Sequence, residues 1–309
     1  MDAVSLDGKR IVVTGPAGQV AFPIVRMLAS RSEVFGLARF SNAADRQRLE
    51  ALGVRCVAAD LAGGSLAGVP EDVDYVLHFA VVKNRDANFD RDVAANAEGA
   101  GRLMSRCRRA KAFLHCSSTG VYAPAGHRPL AETDPLGDNH AAIMPTYSLA
   151  KIATESVVRF CAREWGIPTT IARLNVPYGD NGGWPAMHLE WMLKGRPVPV
   201  HTNAPSAYNP IHEDDYVAHV PRLLAVASVP ATVLNWAGTE TVSIEEWCRY
   251  MGELTGVTPQ LLQTDRTIAS VVADTTRMVE LVGPTRVPWR EGMRRLVASR
   301  HPERLRAGA

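Results

Sequence analysis

The sequence is short of lysine, of paired cysteines and of long apolar runs, and each shortage removes a class of function. Lysine occurs five times among 34 basic residues in a chain of 309, and the net charge is only +2. Scattered, nearly balanced charge argues against nucleic acid or an anionic membrane as a partner. The cysteines, Cys56, Cys107, Cys116, Cys161 and Cys248, are odd in number and show neither a CxxC pair nor zinc-type spacing. No disulfide framework or zinc site is expected from them, and no metal is expected elsewhere. No stretch stays apolar for the length of a membrane span, and residues 1–10 contain no apolar leader core. The expected setting is therefore reducing and cytoplasmic. Internal repeats and low-complexity tracts are also missing.

What is present is an ordinary globular composition, 46% apolar, long enough for one large domain or two coupled ones. Through the first 175 residues, short apolar runs at 10–13, 34–37, 55–58, 75–79, 112–116 and 169–173 alternate with helical stretches such as 22–30, 93–109 and 147–165. That alternation predicts an α/β fold, a doubly wound parallel sheet covered on both faces. Beyond residue 175, proline and glycine become frequent. A smaller C-terminal substrate-binding domain is expected from 176–206 and 237–309, with 207–236 rejoining the dinucleotide-binding part at 1–175.

Two distant motifs give this frame a chemistry. Thr14-Gly15-Pro16-Ala17-Gly18-Gln19-Val20-Ala21 follows the run Ile11-Val12-Val13. A strand turning tightly into a helix presents free N–H groups to a pyrophosphate. Ala21 stands where a third glycine is usual, and a small residue there still permits close packing of helix on strand. Farther on, Tyr147-Ser148-Leu149-Ala150-Lys151 places a phenol and an ammonium on one helical face, four residues apart.

The ordered series of motifs resembles the extended short-chain dehydrogenase/reductase family, also called the NAD-dependent epimerase/dehydratase family. Besides the two motifs above it includes Asp60-Leu61, His78-Phe79-Ala80, Asn96, Ser117-Ser118-Thr119-Gly120-Val121-Tyr122, Arg173-Leu174-Asn175-Val176, His212-Glu213-Asp214-Asp215 and Pro288-Trp289-Arg290-Glu291-Gly292. The resemblance implies a Rossmann-type fold and a catalytic set of Ser118, Tyr147 and Lys151. It also implies cofactor contacts at Gly15, Ala17, Gly18, Gln19, Val20, Asp60, Leu61, Ala80 and Asn96, beside Tyr147 and Lys151. A phenol near pKa 10 is a weak base at neutral pH, so Lys151 and an oxidised nicotinamide are expected to lower the pKa of Tyr147. Ser117 and Thr119 are neighbouring hydroxyls that compete with Ser118 for the same role. The acids of 213–215 read better as a helix opening than as metal ligands.

In this fold an acid after the second strand binds the ribose of NAD, whereas an arginine suits the 2′-phosphate of NADP. The segment Val34-Phe35-Gly36-Leu37-Ala38-Arg39 ends in arginine, so NADP is the expected cofactor, with NAD as the alternative. Where the resemblance places the acidic pair of nucleotide-sugar dehydratases, this chain has Thr119-Gly120. Where it places an arginine that grips a substrate diphosphate, this chain has Tyr208. Thr119, Asn175, Trp184, His188 and Tyr208 are the candidate substrate contacts, with Trp191 and His201 nearby. The resulting expectation is an NADP-preferring oxidoreductase acting on a carbonyl or alcohol of a small non-nucleotide molecule. A sugar or nucleotide-sugar epimerase is the second reading, and a non-catalytic dinucleotide-sensing regulator the third. The family's dimers imply a homodimer through helices 93–109 and 147–165, with Leu103, Met104, Val157 and Phe160 as surplus apolar residues.

Overall fold

Runs such as Ile11-Val12-Val13 and Val76-Leu77 are completely buried, as strands covered on both faces must be. The computed structural model describes residues 2–83 and 87–306. It pairs Arg10–Thr14 (β1), Glu33–Ala38 (β2), Arg55–Ala58 (β3), Tyr75–His78 (β4), Ala112–Ser118 (β5), Thr169–Leu174 (β6) and Thr232–Trp236 (β7) in one sheet. The order is β7-β6-β5-β4-β1-β2-β3, and every pairing is parallel. β7 was not among the strands anticipated from the sequence. The strand order reverses between β1 and β4, and the crevice outside the carboxyl ends of such strands is where this architecture binds ligands.

Two helices carry most of the site. Helix Tyr147–Trp165 matches the predicted span and ends at Gly166 in a left-handed conformation, φ 65°. The helix expected at 93–109 runs from 89 to 106 and includes a π-helical turn, Ala94–Glu98. That turn contains Asn96, whose side chain accepts from Val82 N at 2.8 Å and donates to Val82 O at 2.9 Å. One helix Ala43–Glu50, capped by Asn42, was not anticipated. It buries only Leu49, too little for a periodic signal.

A second apolar core, separate from those on the two sheet faces, gathers Tyr122, Tyr178, Leu189, Tyr208, Trp247, Met251, Met293 and Leu296. Helices Trp184–Leu193, Ile244–Thr255 and Trp289–Arg300 surround it. The second of these starts with a capping box between Ser243 and Glu246, which satisfies two otherwise unpaired backbone donors. Leu103 and Met104 are corrected here. Both are fully buried in the core shared with Val12, Val76 and Phe113, so they belong to the chain's own interior. Phe160 is 62% exposed, and Val157 is half-buried.

Candidate active site

The nucleotide end of the crevice is shaped by Thr14, the last residue of β1. Its Oγ1 lies 2.8 Å from His78 Nδ1 and accepts hydrogen bonds from Phe79 N and Ala80 N at 3.1 and 2.9 Å. The chain leaving β4 is thereby pinned against the chain leaving β1. Gly15 (φ +63°) sits in that contact, where an added Cβ would lie 3.1 Å from Ala80 Cα. A side chain there would be strained by the conformation and crowded by the neighbour. Gly15, Arg39, Asp60, Leu61, Ala80 and Asn96 line one pocket of about 190 Å³. Arg39 is exposed at its rim.

Ala17 and Gly18 shape the turn instead of lining the pocket. Gly18 N donates to Gly15 O at 2.9 Å, and Phe22 N donates to Gly18 O at 2.9 Å. Asn181 Nδ2 donates to Gln19 O at 2.8 Å, tying the turn to the hairpin formed by Pro177–Gly179 and Gly182–Gly183. Gln19 and Val20 continue into a second cavity of about 470 Å³. A groove of this length, with glycine at the closest backbone approach and an exposed guanidinium at one end, fits a dinucleotide.

The larger cavity contains the proposed catalytic set. Ser118, Tyr147 and Lys151 all line it, together with Thr119, Gly120, His140 and Met144. Ser118 ends β5, and its Oγ accepts from Gly120 N at 3.0 Å. Ser117 faces the other way and donates to Glu155 Oε1 at 2.6 Å. Thr119 turns toward Leu174 O, 3.5 Å away. Of the three hydroxyls, Ser118 is the one that acts on the Tyr147 phenol, favouring its ionisation.

Burial drives the Tyr147 phenol up to about 12, against the Ser118 hydrogen bond, which favours ionisation. Among the protein's own groups Lys151 does not offset that burial: its Nζ is aimed at Cys116 O, 2.7 Å away, and burial depresses the ammonium itself.

Beneath the site lies a buried ion pair. Arg173 donates from Nε to Glu155 Oε1 at 2.9 Å and from Nη2 to Glu155 Oε2 at 2.8 Å. Arg173 Nη1 also donates to Tyr122 Oη, and Tyr122 donates to Asn235 Oδ1 at 2.7 Å. Burial alone would raise Glu155, but the two Arg173 bonds and Ser117 hold its carboxyl below the ordinary range.

The far end of the cavity is apolar, lined by Val176, Trp184, Met187, Tyr208, Ile268 and Val271. Tyr208 contributes its ring, because its hydroxyl is committed to Ile268 O at 2.9 Å. Two candidate substrate contacts are corrected. His188 does not line the cavity: it is buried in the second core, stacks on Trp247 and accepts from Trp247 Nε1 at 3.1 Å. Asn175 is a latch, donating to Val271 O at 3.0 Å and accepting from Asn209 N at 3.1 Å. That latch holds Val176 at the cavity in an unfavourable left-handed conformation, φ 32°. His201, whose Nδ1 accepts from Asn203 N, and Trp191 are likewise outside the lining.

His140 is the site residue that sequence reasoning missed. Its ring centroid lies 5.0 Å from that of Tyr147, and nothing in the spacing of the loop before Tyr147 signals it. The acids of 213–215 open helix Glu213–Ala225. There Asp215 accepts from Arg286 N at 2.7 Å, and Asp214 pairs with Arg295.

Solved structures share this architecture from end to end. A UDP-N-acetylglucosamine 4-epimerase from Methanobrevibacter ruminantium in complex with UDP-N-acetylmuramic acid superposes with a TM-score of 0.82 at 17% identity, over 96% of this chain and 99% of that one. A UDP-glucuronic acid 4-epimerase from Bacillus cereus with UDP-glucuronic acid and NAD gives 0.79 at 18% identity, over 92% and 96%. DesIV, a dTDP-glucose 4,6-dehydratase from Streptomyces venezuelae with NAD bound, gives 0.79 at 21% identity, over 96% and 98%. No curated protein matches the sequence. The model of the NAD-dependent epimerase/dehydratase family matches residues 11–235, and the chain, with its glycine turn, its paired Tyr147 and Lys151 and its switch-point crevice, belongs to that family of enzymes.

Proposed function

We propose that this enzyme is an NADP-preferring oxidoreductase that reduces a carbonyl, or oxidises an alcohol, on a small molecule without a nucleotide. The observation that carries this reading is the apolar far wall of the cavity, made by Trp184, Met187, Tyr208, Ile268 and Val271. Among the described residues, the lining's only cations are Lys83 and Lys151. A diphosphate would enter such a wall unpaired, at a large desolvation cost. A bound nicotinamide dinucleotide supplies the hydride donor or acceptor, held by Gly15, Gln19, Val20, Arg39, Asp60, Ala80 and Lys151. Ser118 donates a hydrogen bond to the substrate oxygen, and Tyr147 exchanges a proton with it. A phenol raised to about 12 is protonated at neutral pH, which suits delivery of a proton to a nascent alkoxide. Lys151 lines the cavity next to that exchange.

Net consumption of NADPH with a carbonyl panel is the direct test. Falling NADPH absorbance supports the reading. Turnover of a sugar without any change in absorbance would support the epimerase instead.

The cofactor choice rests on Arg39. Arg39→Asp is expected to weaken NADPH relative to NADH by about 2–4 kcal/mol, since a charge-assisted bond gives way to repulsion. Dissociation constants of both cofactors for wild type and variant check this. A variant that still prefers NADPH would place the selection elsewhere.

The homodimer forms, in this reading, through helix Tyr147–Trp165. Leu149, Ala153, Ser156 and Phe160 follow one stripe along it, with Leu149 41% and Phe160 62% exposed. Phe160→Glu is expected to convert the dimer to monomer in light scattering at micromolar concentration.

A further inference from the structure

Among the described residues five histidines besides His140 are buried, and none of them lines the cavity: His219 sits on helix Glu213–Ala225, and the other four have local settings. His78 is bonded to Thr14, His188 accepts from Trp247, and His212 caps a helix. His115 has no partner but stacks on His78 away from the cavity lining. His140 is different. It is 8% exposed and lines the catalytic cavity; its Nδ1 is sealed against Gly120 without a hydrogen-bond partner, which leaves Nε2 as the nitrogen open to the cavity.

Its position is built. His140 O accepts from Ile143 N at 3.0 Å and Met144 N at 2.8 Å, and His140 N donates to Asp138 Oδ1 at 3.2 Å, which fixes the backbone. The ring lies on Gly120, where an added Cβ would fall 2.3 Å from Cε1 and 2.7 Å from Nδ1. The bare glycine gives the imidazole its place, two residues after Ser118 and against the Tyr147 ring. Burial lowers the imidazole to about 4, so it is neutral at physiological pH, and its Nε2 offers a single donor or acceptor and no charge. Such a group suits a hydroxyl better than a carboxylate or phosphate.

Taking the cavity as the place where the reacting molecule sits, as proposed above, we infer that His140 contacts the substrate and selects one that carries a hydroxyl on the carbon next to the reacting carbonyl. Tyr147 and Ser118 hold the reacting oxygen, and His140 holds the neighbouring one. The apolar remainder of the molecule faces Trp184, Met187 and Tyr208.

The test uses a pair of probes equal in shape, 2-hydroxyacetophenone and propiophenone, which differ by a hydroxyl in place of a methyl. Dissociation constants are measured by calorimetry on the full-length protein loaded with NADP+, which has no hydride to give a ketone, so the result does not depend on turnover. Wild type is expected to prefer the hydroxy ketone by about 10-fold, the worth of one buried hydrogen bond. In His140→Phe the ratio should fall to about one. In Gly120→Ala, where the new methyl displaces the imidazole, it should fall likewise. The ratio is read within each protein, so partial loss of folding or of cofactor lowers both affinities and leaves it unmoved. Equal affinities in wild type, binding of neither probe, or a preference that survives both substitutions would overturn the assignment. A preference for the hydroxy ketone without NADPH oxidation would uphold His140 and overturn the hydride-transfer reading instead.

Discussion

Replacing Tyr147 by phenylalanine is expected to lower turnover by about 100-fold or more while leaving cofactor affinity nearly unchanged. The substitution removes one oxygen from a ring already held by its neighbours. His140 packs on one side of it, and the helix backbone is fixed from Met144 onward, where Tyr147 N donates to Met144 O at 3.0 Å. What is lost is the hydroxyl on which Ser118 acts, and it belongs to the only phenol in the lining, among the described residues, whose hydroxyl is not tied to a backbone carbonyl. Lys151 does not bond the phenol: its Nζ is held by Cys116 O, so the substitution leaves it in place in the groove. Steady-state kinetics with NADPH and titration of the cofactor separate the two effects. Near-normal turnover would mean that another group moves the proton.

The second large effect is on stability and comes from below the site. Arg173→Met is expected to destabilise the protein by about 3–5 kcal/mol, the usual result of leaving one member of a buried ion pair behind. Arg173 and Glu155 are 1% and 2% exposed as side chains, so water cannot replace the missing guanidinium. Glu155 would retain Ser117 and the partly exposed Arg159, 3.6 Å away. The double variant Glu155→Leu with Arg173→Met should regain most of the loss, because the uncompensated charge goes with its partner. Urea denaturation of the wild type, both single variants and the double variant closes the cycle. The pair also sets an acid limit. Since the Glu155 carboxyl is held below its unfolded value, its contribution is present above about pH 4.3 and is lost as pH falls through the depressed folded value.

The sheet was legible in the sequence because its central strands, such as β1 and β4, are buried on both faces and read as apolar runs. Helix Tyr147–Trp165 was legible because its stripe is long and a glycine stops it. β7 escaped because Thr232-Val-Leu-Asn-Trp interrupts its apolar run with Asn235, which is buried only through bonds to Tyr122, Leu130 and Asp274. Those partners are distant in the chain. His188 was misassigned for a related reason: lying four residues after Trp184, it shares that residue's face, but the indole of Trp247 claims it. His140 was invisible because its place is defined by an absence at Gly120, and periodicity carries no record of which side chain fills a gap left by another. The pull of burial on the Tyr147 phenol was not legible either, because spacing reports that Lys151 is near and not how dry the pocket is.

The two ends of the cavity are attached to the molecule in different ways. Gly15, Ala80 and Ser118 adjoin or belong to strands of the central ladder, and none can shift without moving the sheet. The opposite wall is hung on side-chain amides. Asn175 holds Val271 O, Asn209 Oδ1 accepts from Ala273 N at 2.8 Å, and Asn139 bonds both Ala269 N and Ala269 O. Ile268 and Val271 themselves supply apolar surface to the cavity, and their carbonyls are held by the Tyr208 hydroxyl and by Asn175. New side chains at 268 and 271 therefore reshape the chamber while its moorings stay in place. In directed evolution, these two positions are the ones at which preference can drift while the fold and the proton-transfer machinery remain unaltered.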